Sequence, residues 1–139
     1  MKTYLEASQE GGRSLFSRNI TGEVVMLNLL RFRKEADYTD FPELSASYTL
    51  TGREAYQKYI DHTLPLLRNS GGDILFLGEG AHYLIGPVEE SWDMVMMVRQ
   101  NSLKDFMAFA DDPEYLAGIG HRYAALEDSR LLPLTQIKG

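Results

Sequence analysis

Val24-Val25-Met26-Leu27-Asn28-Leu29-Leu30 is apolar on both of its alternating faces, and residues 74–77, 94–98 and 131–134 repeat the pattern. A strand that reads apolar on both sides is covered on both sides. Only two good amphipathic helices accompany these runs. Two helices on one face of a four-stranded sheet leave the other face bare, and the economical cover is a second copy of the chain. The pattern therefore predicts a homodimer with an enclosed space between two sheets, the usual kind of place for a small ligand.

Working outward, Thr21-Gly22 is a turn and residues 23–32 form the first strand. An irregular stretch follows over 33–50, long enough to read as a binding loop, lid or interface arm. Thr51-Gly52-Arg53-Glu54 has the form of a capping box. Tyr56, Tyr59, Ile60, Thr63, Leu64 and Leu67 then recur at helical spacing, with Pro65 expected to bend or interrupt the helix and Gly71-Gly72 to end it. Residues 73–79 read as a second strand, with Gly78 and Gly80 marking a bulge or corner and 82–85 continuing it. Residues 92–99 are the third strand. Ser102 caps a second helix, which Asp112-Pro113-Glu114 restarts. Asp128-Ser129 reads as the turn into a last strand over 130–137. Ahead of all this, residues 4–16 read as a short helix of thin apolar face, with Leu5, Ala7 and Ser8 ahead of the breaker pair Gly11-Gly12. The order strand, helix, strand, strand, helix, strand is the split βαβ arrangement of an α+β, ferredoxin-like fold with an antiparallel four-stranded sheet. Residues 1–21 form an N-terminal extension and 22–139 the domain.

Composition narrows the function. The 139 residues carry 14 basic and 20 acidic side chains, a net charge of −6, which argues against a nucleic-acid partner. No apolar stretch approaches the roughly 20 residues that span a bilayer, and the start has no secretory pattern. A cytoplasmic protein without a membrane partner is the expectation. Cysteine is absent, which excludes disulfides, thiol nucleophiles and thiolate metal sites. Three scattered histidines lack metal-ligand spacing, and no dinucleotide fingerprint or nucleophile elbow occurs. No metal and no cofactor is implied.

The candidate binding residues are polar groups set among apolar ones. Asn28 shares a face with Met26 and Leu30, so its amide either pins a strand end or faces a ligand. Arg31 points the other way, with Leu27 and Leu29. Arg31 and Arg99 sit at strand ends, where a salt bridge competes with an organic-acid or phosphate partner. Tyr59 and His62 are three residues apart on one helix and can meet, as a pair that orients or deprotonates a substrate. Alternatively His62 is simply half-exposed beside Asp61. His121 and Arg122 lie near the end of the second helix among Gly118, Gly120, Ala124 and Ala125. Two helical glycines cost about 1 kcal/mol each against alanine, which makes sense if a backbone or a ligand comes close. The helix dipole there would raise the His121 pKa, and this structural reading stands level with a catalytic one. Trp92 is a core or interface anchor, or otherwise a pocket wall.

Trp92-Asp93-Met94-Val95-Met96-Met97-Val98-Arg99, the Ser102 cap, Asp112-Pro113-Glu114-Tyr115, His121-Arg122 and Leu126-x-Asp128-Ser129-Arg130-Leu131 resemble a domain family of unknown function in the dimeric α/β-barrel superfamily. The first strand and Gly71-Gly72 fit it too, so the resemblance runs over about 22–133. It implies a ferredoxin-like protomer whose sheet pairs with its twin. Superfamily relatives include cofactor-free monooxygenases, muconolactone isomerase and haem-binding members, with pockets between sheet and helices or inside the barrel. The resemblance carries no catalytic set to these positions.

The expectation is a homodimer that binds an apolar or aromatic organic molecule, with a carboxylate as an option. Asn28 and Arg31 fix polar groups, Tyr59 and Trp92 form walls, and His121 with Arg122 supplies a proton or charge. If it is an enzyme, proton transfer or cofactor-free oxygenation suits these residues better than covalent chemistry. The alternatives are a non-catalytic assembly domain using loop 33–50, and, behind it, haem binding.

Overall fold

The nine residues of β1 (Val24–Phe32) bury every second side chain, Val24, Met26, Asn28 and Leu30, against helices. In the computed structural model, which describes residues 2–138, β1 follows helix α1 (Gln9–Ser17). After β1 come a single 3-10 turn (Pro42–Leu44) and α2 (Gly52–Asn69). Strands β2 (Asp73–Glu79) and β3 (Met94–Gln100) lead to three short helices, α3 (Leu103–Ala110), α4 (Pro113–Leu116) and α5 (Ile119–Ala125), and to β4 (Leu126–Leu134). The sheet order is β2-β3-β1-β4 with every pairing antiparallel. This is the expected ferredoxin-like α+β arrangement.

Register decides what faces the helices. Asn28 stands opposite Met96 on one side and Leu131 on the other, and Val24 opposite Gln100. Leu30, Met94, Met96 and Leu126 pack against Ala55, Tyr56, Tyr59 and Ile60 of α2 and Ala125 of α5. Burying a side chain such as Leu30 or Leu126 contributes about 1.5–3 kcal/mol. Both halves of the Thr51–Glu54 capping box form. Gly52 has to be glycine, because a Cβ there would stand 2.2 Å from the Arg33 carbonyl oxygen. At the far end, Gly71 turns the chain with a φ of +93°, as the Gly71-Gly72 signal anticipates.

Several expectations are corrected. Pro65 does not interrupt α2, since both it and the Asp61 carbonyl it leaves without a partner lie on the exposed side, where water serves. Ser8 caps α1 by accepting a hydrogen bond from the Gly11 amide, so Gly11-Gly12 lie inside the helix instead of ending it. The bulge in β2 falls between Ile74 and Phe76 and not at the glycines, and beyond Glu79 only one bridge forms, between His82 and Ser91. Asp128-Ser129 is no turn. Helix α5 runs straight into β4 at Leu126, and both polar residues are buried in the strand.

That burial is explained by the N-terminal segment. The Asp128 carboxylate accepts from the Tyr4 amide (2.8 Å) and pairs with Arg31 (3.1 Å) and Arg130 (2.7 Å). Ser129 Oγ donates to the Tyr4 carbonyl at 2.6 Å. Arg31 and Arg130 both lie over the Trp92 ring, and Arg130 also lies over Tyr4. The segment read as an extension is thus tied at Tyr4 to the edge strand of the sheet.

The opposite sheet face is apolar and uncovered in the single chain. Leu27, Leu29, Val95 and Met97 are half-buried there, while Phe76 and Leu132 are 54% and 56% exposed. Both sides of these strands are greasy, as the sequence pattern says.

Burial works to raise the Asp128 pKa, but hydrogen bonds from Tyr4, Arg130 and Ser129 outweigh it and hold the carboxyl below its ordinary value. Its stabilising effect is therefore present above about pH 4, the unfolded value, and lost as pH falls through the folded one. Asp128→Asn is expected to cost about 3 kcal/mol at neutral pH and to flatten the loss of stability on acidification. Urea melts from pH 7 to pH 3 check this, and parallel acid limbs in the two proteins would reject it.

Candidate functional site

A cavity of about 480 Å³ lies between the sheet and the helices, within the range of small-molecule pockets. Strands β1 and β3 supply its floor through Met26, Asn28, Met96, Val98 and Gln100. Helix α2 lines it with Tyr56, Tyr59, Ile60, Thr63 and Leu67, and the later helices add Phe106, Phe109, Tyr115, Ile119 and Arg122. Leu5, Glu6 and Ala7 close one side, and the same three residues with Arg122 border a second hollow of about 460 Å³ that extends toward α1. The N-terminal segment is a partition between the two.

Few polar groups face this apolar space. The Asn28 amide donates to the Met26 and Met96 carbonyls at 3.2 and 3.3 Å. Tyr59 and Tyr115 share a hydrogen bond between hydroxyls at 2.8 Å. Burial first, and then Tyr115, pushes the Tyr59 hydroxyl well above its ordinary pKa, and burial likewise raises Tyr56. Both phenols stay protonated at any physiological pH. Arg122 donates to the Leu5 carbonyl at 2.6 Å and reaches Ser129 Oγ at 3.4 Å, so its guanidinium is committed largely to holding the N-terminal segment.

Three of the seven candidate residues, Asn28, Tyr59 and Arg122, line this cavity. Arg31 and Trp92 do not. They sit together at the Asp128 cluster on the other side of the sheet, because Arg31 and Asn28 have opposite parity in β1. The Tyr59–His62 pair does not form either. His62 Nε2 bonds to the Glu114 carbonyl at 2.7 Å, while Tyr59 turns inward to Tyr115.

His121 also lies outside the cavity. Arg122 points in, and the adjacent His121 points to the loop, where its Nδ1 shares a 2.7 Å hydrogen bond with the Tyr38 hydroxyl. It occupies the first turn of α5 and not a helix C-terminus, so the expected dipole effect is absent. Burial, then the charges of Lys58 and His62, lowers its pKa below the ordinary value. The two glycines are also accounted for. A Cβ at Gly118 would strike the His62 ring and one at Gly120 would strike Phe41 and Leu44, so the close approach there is made by side chains.

Thr63, Gln100 and Tyr115 are the site residues that sequence reasoning missed. Gln100 had a usable signal: it continues the inward parity of Met94, Met96 and Val98 one residue past the point where the third strand was expected to stop.

A ferredoxin-like sheet with its cavity under the helices defines a class of small α+β protein. The profile of DUF1330, a domain of unknown function, matches residues 44–132, and the chain belongs to that family. Two solved structures of the RPA0582 protein of Rhodopseudomonas palustris, one of them methylated, are 34% identical to it. They cover 99% of this chain and 98–100% of theirs, with TM-scores of 0.84 and 0.83; that protein is described as of unknown function. More distant structures share the fold. A Bacteroides fragilis protein described as dimeric, of unknown function and ferredoxin-like has a TM-score of 0.50 at 15% identity, over 81% of this chain and 94% of its own. A NIPSNAP domain protein of Burkholderia xenovorans has the same TM-score at 13% identity, over 82% and 94%. No curated protein matches the chain. Among the described residues no helix is long and apolar enough to cross a membrane.

His121 is expected to titrate below 6.5 in NMR and to stay neutral at pH 7. Because its folded value is depressed, its contribution to stability is complete above about pH 6.5 and falls as pH drops. A titration midpoint above 6.5 would contradict the burial described here.

Proposed function

We propose that this protein is a small-molecule-binding homodimer whose ligand, an apolar or aromatic organic compound, occupies the cavity between sheet and helices. One observation carries the reading: about 480 Å³ of space between sheet and helices is walled by aromatic and aliphatic side chains, with a few polar groups. Asn28, Tyr59 and Arg122 contact the ligand. The first expectation put the ligand between two sheets; the cavity favours the helix side. Residues 22–139 form the binding domain, and residues 1–21 furnish its partition through Leu5, Glu6 and Ala7.

The uncovered face with Leu27, Leu29, Phe76, Met97 and Leu132 supports pairing with a second copy. The arm between β2 and β3 adds Leu84, Ile85 and Val88, all almost fully exposed. Apolar patches of this kind mark contact sites. The assembly-arm alternative finds less support. Loop 33–50 is packed down through Tyr38 on His121, through Phe41 stacked on Tyr123 at 5.9 Å, and through the Asp37 amide on the Ala124 carbonyl.

Proton transfer, if the ligand is turned over, rests with protonated tyrosines acting as donors, because His121 lies outside the cavity. Calorimetric titration with biphenyl, a plain aromatic probe, is expected to give one saturable site per protomer that Ala110→Phe abolishes. Absence of saturable binding, or binding untouched by that variant, refutes the assignment. Light scattering is expected to give twice the protomer mass, and Leu27→Glu to halve it. A monomeric mass for the unaltered chain would remove the dimer.

A further inference from the structure

Two side-chain atoms in the wall of the cavity are buried without a hydrogen-bond partner, Gln100 Oε1 and Thr63 Oγ1. Gln100 is 1% exposed and Thr63 is 8% exposed. A buried polar atom left unmade costs about 1–3 kcal/mol, and folded proteins rarely carry two in one place without a reason. Gln100 marks one end of the cavity, and Leu67 links Thr63 to it. Gln100 lies opposite Val24 and its Oε1 reaches toward Gly72, against which Leu67 also packs; Thr63 is one helical turn before Leu67.

The other end is polar as well. Asn28 is four residues along β1 from Val24, which places it roughly 13 Å from the Gln100 level at 3.3–3.4 Å per residue. The Asn28 amide nitrogen is spent on two carbonyls, and the hydrogen-bonded hydroxyls of Tyr59 and Tyr115 stand at that end. Between the ends the lining is apolar: Met26, Val98, Ile60, Phe106 and Phe109. The charged groups of the cavity offer a ligand little. Arg122 is held by Leu5 and Ser129, and Glu6 brings negative charge to the same wall.

We infer that the ligand is an uncharged, elongated aromatic or alicyclic compound with a hydroxyl at each end, one satisfying Gln100 and Thr63 and the other meeting Asn28 and the tyrosine pair. This rests on the cavity reading above and deepens it. A hydroxyl suits the orphaned end because it donates to Gln100 Oε1 and accepts from Thr63. A carboxylate would bring its charge up against an acceptor oxygen in a dry wall, far from any free cation.

The test compares biphenyl, 4,4′-dihydroxybiphenyl and biphenyl-4-carboxylate by calorimetry on the full chain. The diol is expected to bind about tenfold more tightly than biphenyl, the gain of one to two net hydrogen bonds, and the carboxylate more weakly than either. Gln100→Met and Thr63→Val keep side-chain shape and remove the orphaned atoms. Each is expected to bring the diol several-fold closer to biphenyl and to melt no lower than the parent, since no existing hydrogen bond is lost. A purely structural Gln100 or Thr63 would instead lower the melting temperature and weaken both probes together. If biphenyl and the diol bind equally, if the carboxylate binds best, or if neither variant alters the preference, the inference fails while the cavity assignment stands. If none of the three binds, the cavity assignment itself falls.

Discussion

The carboxylate of Asp128 has no access to solvent, so everything around it is arranged to keep it charged. Two guanidinium groups, the Tyr4 amide and the Ser129 amide converge on its oxygens. A buried charge is tolerated only when paired and hydrogen-bonded this fully. Several distant features meet at this one group. Arg31 fixes the end of β1, Arg130 the edge strand, and the Trp92 ring beneath both fixes the chain entering β3. Tyr4 in turn delivers Leu5, Glu6 and Ala7 to the far side of the strand edge, where they become a wall of the cavity. An ionic contact on one face of the sheet thereby shapes the cavity on the other.

The cavity itself reflects two opposing tendencies. A core of this composition tends to close to crystal-like density, and around Leu30, Tyr56 and Leu126 it does so completely. It does not close where α3, α4 and α5 replace one long helix with three short ones. Ser102, Asp112 and Gly118 each start a new segment, and Phe106, Phe109 and Tyr115 of α3 and α4 line the space that remains.

Much of the architecture was legible because it rests on local signals of high specificity. The Thr51–Glu54 box, the Ser102 cap, the glycine pair after α2 and the two-faced apolar runs each have one physical meaning, and the elements they imply are present. The failures share a cause as well. Asp128-Ser129 and Gly11-Gly12 carry turn chemistry, which is overridden by a contact with distant Tyr4 in the first case and by the local Ser8 cap in the second. The site was partly legible. Parity within β1 separates Asn28 from Arg31 in the sequence itself, whereas the outward turn of His121 beside the inward turn of Arg122 depends on where loop 33–50 lies. No spacing rule encodes that.

The middle strand of the sheet also bears on how the protein can be divided. The span shared with the family begins at residue 44, yet β1, which hydrogen-bonds to both β3 and β4, ends at Phe32. Cropping the polypeptide to the shared span would leave β3 and β4 with no neighbour between them and the two cavities without their partition. The smallest autonomous unit is therefore close to the whole molecule. Differences ahead of residue 44, outside the common span, would fall on β1 and the partition and so reshape the cavity without touching the shared part.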